Sequence, residues 1–174
     1  MDGFAIAAGL DVASIPALRE IFFLSSTTKD FADGGEMEMF FNVWTSYYFE
    51  HEPELVYTIS ANGSPGGYLT GCADSARAAP WFARTESYPL FSDWFHEYPA
   101  HFHINVHPRL RGQGLGSRLA RRFFDDMKRR GAAGVHVVTA ADARNTGFYQ
   151  RLGLAPLARR ECGGRRLAAL GQRW

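Results

Sequence analysis

The sequence predicts a mixed α/β fold, a central sheet with helices on its faces. Three observations carry this expectation. The second half of the chain twice runs strand, helix, strand, which implies partly parallel pairing. The first half holds two strand patterns close together around a glycine-rich turn, which implies antiparallel pairing. The 174 residues are 46% hydrophobic and 21% charged, enough chain for one domain with a sizeable core. The expected organisation is a single domain over residues 1–174, in the order β-α-α-β-β-(insertion)-β-α-β-α-β-β.

The apolar run from Phe4 to Leu10 suits a first strand. Asp11 or Ser14 can cap the helix that follows, and Pro16 fits its first turn. Leu18, Ile21 and Phe22, with Ser25, give that helix one face. A loop rich in Asp, Gly, Ser and Thr then leads to a second helix from Glu36 to about Phe49. There Met37, Phe40, Phe41, Trp44 and Tyr48 recur at helical spacing, with Glu36 and Glu38 near the positive end of the dipole. Leu55 to Ser60 reads as a strand, Asn62 to Gly67 as a turn longer than two residues, and Tyr68 to Ala73 as the return strand.

The stretch from about 74 to 99 is an insertion with no clear period. It holds Pro80, Pro89 and Pro99, and seven aromatics from Trp81 to Tyr98. A folded segment over the domain is expected, with a short helix near Phe91 to Glu97. It can serve as a pocket wall or simply fill core. His101 to Val106 is a strand. Leu115, Leu119, Phe123, Phe124 and Met127 define a helix ending near Arg130-Gly131, where glycine suits a C-cap. Val135 to Thr139 is a buried strand, and Asn145 to Leu152 a short helix closed by Gly153. Leu154 to Arg160 and Arg165 to Leu170 read as strands joined through Cys162-Gly163-Gly164.

Composition narrows the function classes. Net charge is +1 and the isoelectric point is about 7.9, so no global field argues for nucleic acid or an anionic membrane. Arginines do cluster from Arg109 to Arg130, which leaves room for a local anion site. Cys72 and Cys162 lack metal-site spacing and form no disulfide framework. No basic n-region opens the chain, and no run approaches the ~20 apolar residues that span a bilayer. A cytoplasmic protein, monomer or homodimer, is the expectation.

The chemistry concentrates in His101 to Gly116, HFHINVHPRLRGQGLG. A strand ends at His107-Pro108, and Arg111-Gly112-Gln113-Gly114-Leu115-Gly116 turns into a helix. A helix start presents backbone N–H groups without intrahelical acceptors and a positive dipole end. Glycine lets an anion such as a pyrophosphate approach that backbone. A tight turn that merely needs glycine reads the same way. A Walker loop is excluded because Gly116 is followed by Ser117-Arg118 rather than Lys-Ser/Thr. A dinucleotide fingerprint is excluded because the third glycine comes one residue early and the region near His136 offers no acid.

These residues resemble the GNAT superfamily of acetyl-CoA-dependent N-acetyltransferases. Its turn, Arg/Gln-x-x-Gly-x-Gly/Ala, is matched by Arg111, Gly114 and Gly116 after Val106-His107-Pro108. Phe148-Tyr149-Gln150-Arg151-Leu152-Gly153-Leu154 resembles a second family block, Phe-Tyr-x-x-x-Gly-Phe. More narrowly, Tyr98 to Ile104 and Gly134-Val135-His136 look like acetyltransferase-like domains related to the C-terminal part of O-GlcNAc hydrolases. The resemblance implies a mostly antiparallel sheet with a splayed parallel strand pair and helices on both faces. It implies acetyl-CoA as co-substrate, with backbone of Ile104, Asn105 and Val106 on the pantetheine and thioester. The amides of Arg111, Gly112, Gln113, Gly114, Leu115 and Gly116 would take the pyrophosphate.

By the same resemblance Tyr149 is the acid that protonates the departing thiolate. Relatives often carry a cofactor-binding Asn seven residues before this tyrosine, where this chain has Asp142. Asn145 is preferred for that role, and 142, 145 and 149 share a face if the helix starts early enough. The amine acceptor must also lose a proton. His101 or His103, on one face of the strand with Asn105, titrate in the right range, although paired strand histidines also serve as hydrogen-bonded core. Asp74, Glu36 and Glu38 are weaker candidates. His101-Phe102-His103 has no third ligand, so no metal is expected. The leading expectation is direct acetyl transfer to a primary amine on a small molecule or peptide. The rival is a non-catalytic acetyl-CoA-binding or interaction module.

Overall fold

The computed structural model describes residues 3–83 and 85–174. Among the described residues there are seven strands: β1 (Phe4–Ala8), β2 (Val56–Ala61), β3 (Ser64–Cys72), β4 (Ala100–Val106), β5 (Gly134–Ala140), β6 (Ala155–Cys162) and β7 (Arg165–Arg173). The helices are α1 (Ile15–Ser25), α2 (Gly34–His51), α3 (Ser75–Ala78), α4 (Leu115–Arg129) and α5 (Thr146–Arg151), supplemented by short 3-10 turns. The strands form a mixed sheet in the order β1-β2-β3-β4-β5-β7-β6. The pairs β1/β2, β2/β3, β5/β7 and β6/β7 are antiparallel, and β4/β5 is parallel. The mixed, mostly antiparallel sheet expected from the sequence is therefore the one observed. No helix among the described residues is long and apolar enough to cross a membrane.

The chain forms two compact units, Met1–Gly71 with His103–Phe123 and Cys72–Phe102 with Phe124–Trp174. In the first, α1 buries Leu18, Ile21 and Phe22, and α2 buries Phe41, Thr45 and Tyr48. Phe22 meets Phe41 edge to face at 5.3 Å. Each such fully buried ring or aliphatic side chain contributes about 1.5–3 kcal/mol. Asp33 caps α2, its Oδ1 accepting from the Glu36 amide at 2.9 Å, and the Glu36 carboxylate accepts from the amide of Ala32, one residue ahead of the cap. One first-turn donor of the helix and one donor of the entering loop are satisfied at once. Gly71 of β3 faces Phe123 so closely that a Cβ there would overlap the ring.

The β2–β3 connection corrects the expected long turn. Ala61 pairs with Ser64, so the loop is only Asn62-Gly63, both with positive φ (50° and 81°). Positive φ at both central positions matches the twist of a two-residue hairpin. Ser64, Pro65 and Gly66 belong to the strand. The register slips between Ile59↔Gly67 and Ser60↔Pro65, and a proline that cannot donate to the ladder is tolerated at such a bulge.

The insertion resolves into secondary structure of its own in the second unit. Asp74 caps α3 through the Arg77 amide, and 3-10 turns follow at Ala79–Phe82 and Pro89–Trp94. The short helix expected near Phe91 is this second turn, ending three residues earlier. Phe82 stacks on Tyr88 at 4.4 Å, and Phe91 packs with Leu167 and Ala169. Arg160 of β6 holds Asp93 in a two-point ion pair (2.8 and 2.6 Å), which keeps that carboxyl below the usual carboxylate range.

Candidate active site

In the first unit, the end of β4 feeds a turn whose shape follows from its residues. His107 is extended ahead of Pro108 (φ −50°, ψ 131°), as a residue before proline must be. Its amide bonds to the Gly66 carbonyl at 2.9 Å, and Pro108–Leu110 forms a 3-10 turn. Arg111 Nε then donates to the Val106 carbonyl (3.1 Å) and Nη2 to Ser25 Oγ (3.2 Å). This guanidinium therefore braces the turn against the strand it leaves. Gly112 and Gly114 have φ of 81° and 77°, and a Cβ at either would meet nothing within 4 Å. The glycines answer a backbone need, and the space beside them is open.

The Arg118 amide bonds back to Gly114 O at 3.1 Å, so the α4 ladder starts there. Amides ahead of that point have no acceptor in α4, and among the expected cradle amides that of Arg111 is turned to the Pro108 carbonyl at 3.4 Å. Leu115 is buried while Arg111, Gly112, Gln113 and Gly114 are exposed. The side chain thus anchors the helix start, with the exposed backbone of the turn preceding it. A backbone cradle at the positive end of a 15-residue helix suits a pyrophosphate.

Ile104, Asn105 and Val106 are half-buried. Asn105 Nδ2 donates to the Tyr68 hydroxyl at 3.1 Å, a partner in β3 that no local pattern announces. Burial raises the Tyr68 phenol far above its usual range, although the Asn105 bond opposes the shift. His103 is half-buried and packs edge-on to Trp44 (5.4 Å) and Tyr48 (5.6 Å) of α2. The helical stripe predicted from the sequence thus delivers two of its rings to a candidate base.

In the second unit His101 has a different setting. It is 5% exposed, and its Nδ1 lies 2.7 Å from Ser75 Oγ. Ser75 Oγ donates to the Pro99 carbonyl at 2.7 Å, so its single proton is spent and His101 Nδ1 must carry the hydrogen. Phe82, Tyr88 and His136 surround the ring. His136 donates from Nδ1 to the Tyr98 carbonyl at 2.6 Å and is stacked on Phe95. Burial pushes its pKa down to about 4.

Tyr149 is buried on α5, with its ring against Phe102 and Phe148. Burial pushes its phenol up to about 12, so it holds its proton at neutral pH. Asn145 directly precedes α5, which starts at Thr146. Asp142 therefore lies outside the helix, and the shared helical face of 142, 145 and 149 does not form. The Asn145 side chain accepts from Thr139 Oγ1 at 3.0 Å. Of the weaker acidic candidates, Asp74 caps α3, Glu36 accepts from the Ala32 amide ahead of α2, and Glu38 pairs with Arg19 at 3.2 Å.

The sequence matches the family model described as the acetyltransferase (GNAT) family over residues 17–154. The chain belongs to the GNAT acetyltransferase family. Solved structures agree at the level of fold. SsHAT is 24% identical with a TM-score of 0.76, covering 98% of both chains. The yncA protein of Salmonella typhimurium, solved with acetyl-CoA, is 18% identical with a TM-score of 0.65, covering 98% of this chain and 94% of that one. The ribosomal-protein-S18-alanine N-acetyltransferase of Escherichia coli is 16% identical with a TM-score of 0.63, covering 98% and 93%. The turn at Arg111–Gly116 and the Phe148-Tyr149 block both lie inside the matched GNAT region.

Proposed function

We propose that this protein transfers acetyl from acetyl-CoA directly to a primary amine, with residues 1–174 working as one acetyltransferase-like domain. The observation that carries this reading is the open, glycine-built turn at the start of α4 in a GNAT chain. Amides from Arg111 to Gly116 hold the pyrophosphate. Backbone of Ile104, Asn105 and Val106 takes the pantetheine and polarises the thioester carbonyl, worth ~3 kcal/mol at comparable oxyanion sites. Asn145 adds a side-chain contact to the cofactor.

In the step itself the amine nitrogen attacks the thioester carbon, a C–N bond forms and the C–S bond breaks. Tyr149 gives its proton to the departing thiolate. The proton lost by the amine passes to a base, and solvent exchange restores both groups. Of the two histidines on the strand face, His103 is the half-buried one and carries the base assignment better than His101, which is packed against Ser75, Phe82 and Tyr88. Trp44 beside His103 favours an aromatic-walled recess for a small amine over a long peptide. The finer resemblance to the C-terminal domains of O-GlcNAc hydrolases rests on Tyr98 to Ile104 and Gly134 to His136. A cytoplasmic setting is consistent with Cys72 and Cys162 as thiols.

Thiol release from acetyl-CoA tests the reaction. Release with at least one amine supports transfer. Acetyl-CoA binding without release leaves a non-catalytic binding module.

A further inference from the structure

We propose that His101 and His136 form a pH-sensitive latch for the insertion at 74–99: neutral imidazoles keep the insertion docked on β4 and β5, and charging either one releases it. Every group involved lies in the second unit, and acetyl-CoA takes no part. The sheet sets the pair side by side. His101 and His136 are partners in the parallel register of β4 and β5, and their ring centroids lie 5.6 Å apart. Both are buried. The insertion covers them with three rings. Phe82 and Tyr88 pack edge-on to His101, Phe95 stacks on His136 at 5.2 Å, and Tyr88 touches the other two. The imidazoles in turn grip consecutive carbonyls where the insertion rejoins the sheet. His136 holds that of Tyr98 directly, and His101 holds that of Pro99 through the Ser75 hydroxyl.

A neutral imidazole suits this apolar setting, and a charged one does not. Burial lowers the His136 pKa, opposed by the Tyr98 carbonyl and by no charged side chain. Of the three covering rings only Tyr88 is titratable, and its hydroxyl donates to the Ser75 carbonyl. The carboxylates of the insertion are placed elsewhere: Asp74 caps α3, Glu86 lies by Cys162, Asp93 pairs with Arg160 and Glu97 with Arg173. Gly171, the β7 partner of His136, adds no charge. A proton on one imidazole is thus uncompensated, and a second would repel it across the 5.6 Å between the rings. Lifting the insertion returns both rings to water. With His136 at about 4 when covered against 6.5 when solvated, falling pH favours the lifted state.

Hydrogen–deuterium exchange of the full chain at pH 7 and pH 5, corrected for intrinsic rates, reads such local opening. We expect the insertion's amides to lose protection about twentyfold between the two, because the lifted state takes up the His136 proton first, while β2 and β3 keep theirs. Asp93 stays ionised at pH 5, since Arg160 holds its carboxyl low, so loss of that ion pair does not account for the release. Asparagine keeps a donor for each grip without a titrating ring. His136→Asn should therefore shrink the loss, and His101→Asn/His136→Asn should remove it. Ser75→Ala breaks one grip without changing charge, and should lower protection at both pH values by the same factor. Equal loss in the insertion and in β2 and β3, or no loss in the insertion, overturns the latch in the unsubstituted protein. A loss that survives in the double variant overturns it as well.

Discussion

Tyr149 and His136 both sit in the buried part of the second unit, and burial moves them in opposite senses. The Tyr149 phenol, pushed up to about 12, stays protonated through the range in which an acetyl transfer is run. It can therefore donate to a thiolate without first titrating. Tyr149→Phe is expected to lower kcat by about 10²-fold, the usual scale for a lost general acid, with acetyl-CoA KM little changed. An unchanged kcat removes Tyr149 from the chemistry. His136, pushed down to about 4 from 6.5, binds its proton in the folded state only well below the pH at which the unfolded chain does. Between those values the unfolded state holds more protons, so stability falls as pH drops from 6.5 towards 4. The shift corresponds to about 3 kcal/mol at most. Urea melts across that window should show the loss, and His136→Asn should flatten the slope whatever it does to absolute stability.

The elements explain why some features were legible in the sequence and others were not. The α4 stripe of Leu115, Leu119, Phe123 and Met127 is regular, and all four are buried. The turn before it has a motif as well as a period. The β2–β3 loop is shorter than its composition suggests: Ser64-Pro65 has turn composition, whereas the bulge at Pro65 lets that segment pair as strand. The insertion has no period because its pieces are single turns held by ring stacks such as Phe82 on Tyr88. At the candidate site, Arg111, Gly114 and Gly116 are legible through the GNAT motif, because glycine spacing alone reads equally as a tight turn. The hydrogen bonds from Asn105 to Tyr68 and from Thr139 to Asn145 are not, since the fold brings those partners together.

Two substitutions test this level. Gly114→Val puts a β-branched residue at φ 77°, and it should abolish the melting-temperature rise given by acetyl-CoA while costing about 1–2 kcal/mol of stability. A retained rise separates the turn from the cofactor. Gly71→Ala should cost about 1–3 kcal/mol by overpacking against Phe123, read by denaturant unfolding.

Across the whole molecule, family membership rests on 17–154, and likeness of fold extends over 98% of the chain. Neither fact specifies the acceptor. The aromatic setting of His103 makes the sharpest claim about it: Trp44→Ala should raise the amine KM while leaving acetyl-CoA affinity alone, measured by varying each substrate in turn. The most direct measurement of the central claim is release of free thiol from acetyl-CoA across a panel of small amines, amino sugars, amino acids and peptides. The account predicts amine-dependent release with at least one acceptor, strongly reduced in Tyr149→Phe. No amine-dependent release from any member of the panel, with no melting-temperature shift at millimolar acetyl-CoA, would contradict it.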